Sequence, residues 1–149
     1  MKDITPKLIG LFKIGYCTPQ IARIAKYLKQ PSTTIHYNIK KLEKEHKIKA
    51  YKAVFDYSKI DEGFCNFILI SLTPDEYGNP ERIAKELAKH SEVESVDICT
   101  GDCEIIMKVR TKDQNDYYKF VKDIIPRKGI GKITSLMSLK QIKTEFVEL

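Results

Sequence analysis

The sequence predicts an α+β fold in two parts, three short helices followed by a β-α-β-β-α-β run. Three observations carry that reading. Apolar residues recur at helical spacing three times before residue 45. Four strand-like apolar stretches follow, each pair bracketing a further helical stripe. Charge is unevenly divided: residues 1–52 hold twelve Lys/Arg against three Asp/Glu, a net of +9, and residues 53–149 hold fourteen against seventeen, a net of −3.

In the first part, residues 7–14 carry Leu8, Ile9, Leu11 and Phe12 at helical spacing, and Gly15 stops them. Thr18-Pro19-Gln20 reads as a helix start, with Thr18 capping the free amides and Pro19 suited to the first helical position. Ile21, Ile24, Ala25 and Leu28 then make one stripe. Pro31 cannot continue that helix, so Lys29-Gln30-Pro31-Ser32 is a tight turn. In the third helix Ile35, Ile39 and Leu42 face the core. At ~100° per residue the opposite side carries Thr33, Tyr37, Lys40 and Lys44, flanked by Thr34, His36, Lys41 and Lys47.

Two helices joined by a short turn, with such an outer face, fit a reader of the DNA major groove. Hydroxyls and His36 reach base edges and lysines neutralise phosphates. A solvated lysine-rich face and an anionic membrane surface are the competing readings. The polar face lacks the Trp or Phe anchors a membrane helix would carry at its edge. Residues 48–56 are rich in strand formers and read as an extended strand leading into the second part, which makes the first a winged helix-turn-helix.

In the second part, residues 64–72 are a mostly buried strand, residues 74–80 a loop, and Ile83, Ala84, Leu87 and Ala88 a helix entered through Pro80-Glu81. Residues 93–100 and 103–110 are strands of one hairpin turned at Thr100-Gly101-Asp102. Asp113 opens a helix with Tyr117, Phe120, Val121, Ile124 and Ile125 on its stripe, and residues 133–142 are an alternating last strand. Two β-α-β halves in this order predict a ferredoxin-like domain, one antiparallel sheet with both helices on one face. The other face then stays bare and apolar, which predicts at least a homodimer. The expected boundaries are 1–52, a linker at 53–62, and 63–149.

Composition limits the function. With 42% hydrophobic and 31% charged residues the chain reads as globular. No apolar run approaches the ~20 residues of a membrane span, and residues 1–6 lack the apolar core of a secretion signal, so a cytoplasmic protein is expected. Cys17, Cys65, Cys99 and Cys103 form no C-x-x-C and read as small reduced apolar residues. The scattered His36, His46 and His90 complete no metal set, and no nucleophile–base constellation stands out. No catalytic residue, metal or cofactor is expected.

The layout resembles the Lrp/AsnC regulators over about residues 4–143. The run from Ser32 to Glu45, ending in Ile48-Lys49-Ala50-Tyr51, is similar to the family's recognition helix and following strand. Thr100-Gly101-Asp102-Cys103-Glu104, with the strand after it, is similar to its T-G-x-(aromatic)-D hairpin. Lys29 and His46 stand where the family usually has Gly, Pro31 where it often has a capping Ser, and Tyr37 and Asn38 where Arg is frequent. Ser32 takes over as cap. Cys103 replaces an aromatic and Glu104 an Asp.

The resemblance implies double-stranded promoter DNA as partner, with Thr18, Ser32, Thr33, Thr34, His36, Tyr37, Lys40, Lys41 and Lys44 as the contacts. It also implies homodimers assembling to octamers, and an amino acid effector at Thr100, Gly101, Asp102, Cys103 and Glu104. Hairpin amides can hold a carboxylate, and Asp102 or Glu104 an ammonium. A plain tight turn is the competing reading of that loop. The alternative function is a metabolite-sensing or protein-interaction module that has lost DNA binding. Some tetrapyrrole decarboxylases share the layout, but residues 93–100 lack the His that their motif would bring.

Overall fold

The computed structural model describes residues 4–144 and the backbone of 147–148. The chain divides into two compact units, Met1–Phe55 and Asp56–Leu149.

The first unit holds helices α1 (Thr5–Lys13), α2 (Ile21–Leu28) and α3 (Ser32–Lys44). Each ends in the same way. A residue one or two positions past the helix has positive φ, and the next amide reaches back five residues: Tyr16 to Leu11 at 3.1 Å, Gln30 to Ala25 at 3.0 Å, Lys47 to Leu42 at 3.0 Å. Gly15 takes that position after α1, with φ +98°, but Lys29 (φ 52°) and His46 (φ 55°) take it after α2 and α3. Among the described residues of this unit, Ala25 and Ile35 are the buried apolar ones, where α2 packs on α3.

Three sequence expectations need correction here. Thr18 does not cap α2: the Pro19 carbonyl accepts from the Ile21 amide at 3.0 Å, so the chain is still turning and Gln20 is the cap position. Ser32 does not cap α3, because Pro31 occupies the cap position and makes Ser32 the first helical residue. Residues 48–56 form no strand, since no second strand of the described chain pairs with them. Tyr51 instead donates its hydroxyl to Glu43 of α3 at 3.0 Å, and its carbonyl lies 3.0 Å from where a Cβ on Gly15 would sit.

The second unit opens with a 3₁₀ turn (Tyr57–Ile60), then β1 (Phe64–Leu72), α4 (Pro80–Leu87), β2 (Val93–Ile98), β3 (Ile105–Thr111), α5 (Gln114–Ile124) and β4 (Ile130–Met137). A short pair, β5 (Lys143–Thr144) and β6 (Val147–Glu148), follows. The main sheet runs β2-β3-β1-β4, every neighbour antiparallel, which is the ferredoxin-like order. Alternation along β1 and β3 sends Ile68, Ile70 and Leu72, with Ile105, Met107 and Val109, to one face. There they meet Ile83, Ala84 and Leu87 of α4 and Phe120 and Ile124 of α5. Asp113 caps α5, its carboxylate accepting from the Asp116 amide at 3.0 Å.

Strand ends differ from the expected ones. β4 starts three residues early and stops at Met137, and β2 and β3 leave residues 99–104 as the loop. The β1–β4 register shifts between Ser71 and Leu72, and Gly131 passes so close that a Cβ there would lie 3.2 Å from the Leu72 carbonyl.

Candidate functional site

Helix α3 brings most of the expected DNA contacts onto one surface. Ser32, Thr33, Thr34, His36, Tyr37, Lys40, Lys41 and Lys44 are all exposed, while Ile35 between them is buried. Thr18 lies in the turn ahead of α2, exposed and apart from this row. Asn38 turns inward along the helix and donates to the Thr34 carbonyl at 2.8 Å. Lys40 pairs with Glu43 at 2.7 Å, and Lys41 lies 3.9 Å from Glu45. The hydrogen bond to Glu43 and its charge raise Lys40 above the ordinary lysine value. Lys40 first, then Tyr51, hold the Glu43 carboxyl below the usual glutamate range.

The second candidate region is the loop between β2 and β3. The Cys99 amide closes it on the Glu104 carbonyl at 2.9 Å. Thr100, Gly101 and Asp102 are exposed, Glu104 is half-buried, and Cys103 is buried. Gly101 has φ +122°, a backbone state that favours glycine. Among the described residues, no acceptor engages the amides of Thr100, Gly101, Asp102 or Cys103. Three bonds fasten the loop to the end of β1, one of them from the Glu104 amide to the Ile70 carbonyl at 3.1 Å. The Ser71 hydroxyl donates to the Asp102 carbonyl at 3.1 Å, and the Glu104 carboxylate accepts from the Leu72 amide at 2.8 Å. Burial pushes the Cys103 thiol up, and the charges of Cys99, Glu104 and Asp102 add to it.

Sequence reasoning missed a third group, on the sheet face away from α4 and α5. Arg110 is buried there and donates to Glu94 at 2.6 Å, to the Glu62 carbonyl at 3.3 Å and to Gln141 at 3.4 Å. Its guanidinium lies 3.7 Å from the Tyr57 ring centre, and Lys108 also pairs with Glu94 at 2.9 Å. Burial alone would raise the Glu94 carboxyl. Hydrogen bonds from Arg110 and Lys108 outweigh it and hold the group below the usual range. The Tyr57 hydroxyl is pushed up to about 12, first by burial and then by the Glu94 charge. The available signal was the i, i+2 pair Lys108 and Arg110 on one face of a strand. Beside this cluster Phe67, Leu69, Ile106 and Leu136 make an apolar patch that is only partly covered.

Among the described residues no three His, Cys, Asp or Glu side chains gather as a metal site. No described helix is long and apolar enough to cross a membrane.

Comparison with known proteins now bears on this geometry. The Lrp/AsnC ligand binding domain matches residues 65–147. An uncharacterized HTH-type transcriptional regulator of Pyrococcus furiosus is 33% identical over 126 residues, 84% of this chain and 84% of its own length. One from Pyrococcus abyssi is 32% identical over 146 residues, 97% of each chain. The fold is shared with a solved transcriptional regulator from Neisseria meningitidis in complex with L-Met, at TM-score 0.74 and 23% identity, over 97% of this chain and 94% of that one. With a family domain over more than half its length and relatives of this similarity, the chain belongs to the Lrp/AsnC family of transcriptional regulators.

Proposed function

We propose that the protein is a sequence-specific regulator that binds double-stranded promoter DNA in the cytoplasm, under the control of a small effector such as an amino acid. The observation that carries this reading is the outer face of α3. Thr33, Thr34, His36, Tyr37, Lys40, Lys41 and Lys44 all face solvent on a segment whose net charge is +9. In this reading α2, the turn at Lys29–Pro31 and α3 are a helix-turn-helix, and α3 enters the major groove. Lysines set affinity through phosphates, and Thr33, His36 and Tyr37 read base edges. Residues 48–56 would be the wing only once a pairing strand is supplied.

The four unengaged amides of residues 100–103 support the loop as the effector site, since consecutive free amides suit a carboxylate. Of the two acidic candidates, Glu104 is committed to the Leu72 amide, which leaves Asp102 for an ammonium group. The L-Met complex of the Neisseria regulator supports an amino acid as the ligand class. The patch at Phe67, Leu69, Ile106 and Leu136 supports a homodimer formed through the open sheet face, with octamers built from such dimers. A dimer sets two α3 helices about one DNA turn apart, ~34 Å. Effector bound between dimers would favour one assembly and so change DNA affinity.

The test is binding to the DNA upstream of its own gene against a scrambled fragment at two salt concentrations. Tighter and salt-sensitive binding to the first is expected. Absence of binding to either fragment at low salt overturns the reading and leaves the sensing or interaction module.

A further inference from the structure

We propose that Tyr51 and Glu43 are positioning residues for Lys40: Tyr51 holds the Glu43 carboxylate back, so that the Lys40 ammonium can pass to a DNA phosphate. This role rests on the reading of α3 as the helix that meets DNA.

One carboxylate serves two donors. The Lys40 ammonium donates to Glu43 Oε2 at 2.7 Å, and the Tyr51 hydroxyl donates to Oε1 of the same group at 3.0 Å. Lys40 and Glu43 stand one helical turn apart on α3, so their approach is local. Tyr51 arrives from outside the helix. His46 reverses the chain with φ 55°, and the Lys47 and Ile48 amides both fold onto the Leu42 carbonyl, at 3.0 and 3.3 Å. The segment after them has two sides, with Tyr51, Ala53 and Phe55 half-buried and Lys52 and Val54 exposed. Its backbone is fitted to the end of α1, because a Cβ on Gly15 would lie 3.0 Å from the Tyr51 carbonyl. Tyr51 is thus held at its backbone and reaches Glu43 with its hydroxyl, whereas Lys40 is exposed on a long stem.

The shared carboxylate matters when Lys40 changes partner. Lys40 is held more closely than its neighbour Lys41, which lies 3.9 Å from Glu45. A phosphate wins Lys40 only if Glu43 gives it up and does not follow it towards the DNA, where a second negative charge repels. The Tyr51 bond meets both needs. It satisfies one carboxylate oxygen after Lys40 has left, and it anchors the charge beside a half-buried ring. Burial first, then the bond to Glu43 and its charge, raise the Tyr51 hydroxyl above the ordinary tyrosine range. Without that hydroxyl the carboxylate swings with Lys40. Tyr51→Phe therefore ties Lys40 more tightly and weakens DNA binding, although it removes no charge. The effect must vanish once the charge of either Glu43 or Lys40 is gone.

Two measurements on the full chain test this, the first without DNA. Subtracting the tyrosinate titration of Tyr51→Phe from that of the wild type isolates the Tyr51 step, expected above the ordinary value of ~10. In the Glu43→Gln background the same difference should fall at lower pH, and a step that stays in place overturns the pairing. The second is fluorescence anisotropy at low salt on the upstream and scrambled fragments. It compares the wild type, Tyr51→Phe, Lys40→Ala, and Tyr51→Phe combined with Glu43→Gln or with Lys40→Ala. Tyr51→Phe alone should weaken binding about two- to fivefold, the lower part of the range for residues sharing one network. In both combinations it should be silent. A loss that carries over into both backgrounds marks a merely structural tyrosine and overturns the role. So does unchanged affinity in the single variant where Lys40→Ala weakens binding, which leaves the reading of α3 standing. Full binding by Lys40→Ala, or none by the wild type on either fragment, overturns Lys40 as a contact and this role with it.

Discussion

The carboxylate of Glu104 accepts a hydrogen bond from the backbone amide of Leu72 at 2.8 Å, where β1 slips its register against β4. The last β1–β3 pair is Ile70 with Ile105, so that amide lies past the end of β3, and a charged acceptor from the adjoining loop takes the strand's place. Glu104→Ala should therefore lower stability by about 1.5–3 kcal/mol, the range for a bond to a charged group. Glu104→Gln keeps an acceptor oxygen and should lose less. Urea denaturation of both variants checks the order, and equal losses would show that the bond contributes nothing specific.

Lys29 and His46 hold left-handed backbone where glycine is free of strain. Lys29→Gly and His46→Gly should each stabilise the protein by up to about 1 kcal/mol. Gly15→Ala should act in the opposite sense by about 1 kcal/mol or more, since its φ is +98° and its Cβ would meet the Tyr51 carbonyl at 3.0 Å. Denaturation midpoints followed by helix circular dichroism test all three.

Lys40→Ala and Lys44→Ala should weaken DNA binding alike on every sequence. Each should flatten the plot of log affinity against log salt by about one unit. Lys40 must leave Glu43 to reach a phosphate, so Glu43→Gln should tighten binding at low salt. Fluorescence anisotropy across a salt series reads both effects, and unchanged slopes would place the DNA elsewhere.

The Glu94–Arg110 pair gives an acid limb to stability. Glu94 has a folded pKa below its unfolded one, so its contribution is present above the ordinary glutamate value, ~4.3, and is lost as pH falls through the folded value. Glu94→Gln should remove part of that acid dependence. At neutral pH it should cost about 3 kcal/mol, because the buried Arg110 loses the carboxylate that its guanidinium pairs with. Tyr57 works at the other end. Its pKa is raised to about 12, so its stabilisation is whole below the ordinary tyrosine value and lost as pH climbs towards 12. Urea midpoints from acid to neutral pH test the first, and an absorbance titration lacking Tyr57→Phe's late step tests the second.

Periodicity made much of this legible. Ile68, Ile70 and Leu72 opposite Ile105, Met107 and Val109 reach the core because alternate strand residues share a face whatever lies far away in sequence. The row Thr33, Tyr37, Lys40 and Lys44 was visible for the same reason in helical form. Two kinds of feature were not legible. Local ends depend on competing hydrogen bonds, as when Pro19 accepts from Ile21 and delays α2 past Thr18. The Arg110 cluster draws on Tyr57, Glu62, Glu94 and Gln141, four places that only the folded sheet brings together.

The uneven distribution of buried side chains has a temporal consequence. The helical unit rests on Ala25 and Ile35, whereas the sheet unit encloses a continuous apolar layer of strands and helices. Backbone amides of α2 and α3 should therefore trade their protons for deuterium through frequent local openings. Those of β1 and β3 should exchange only when the whole sheet comes apart. If α3 reads DNA as proposed, it meets the duplex while still opening and closing, and the light packing around Ile35 is what leaves it that freedom.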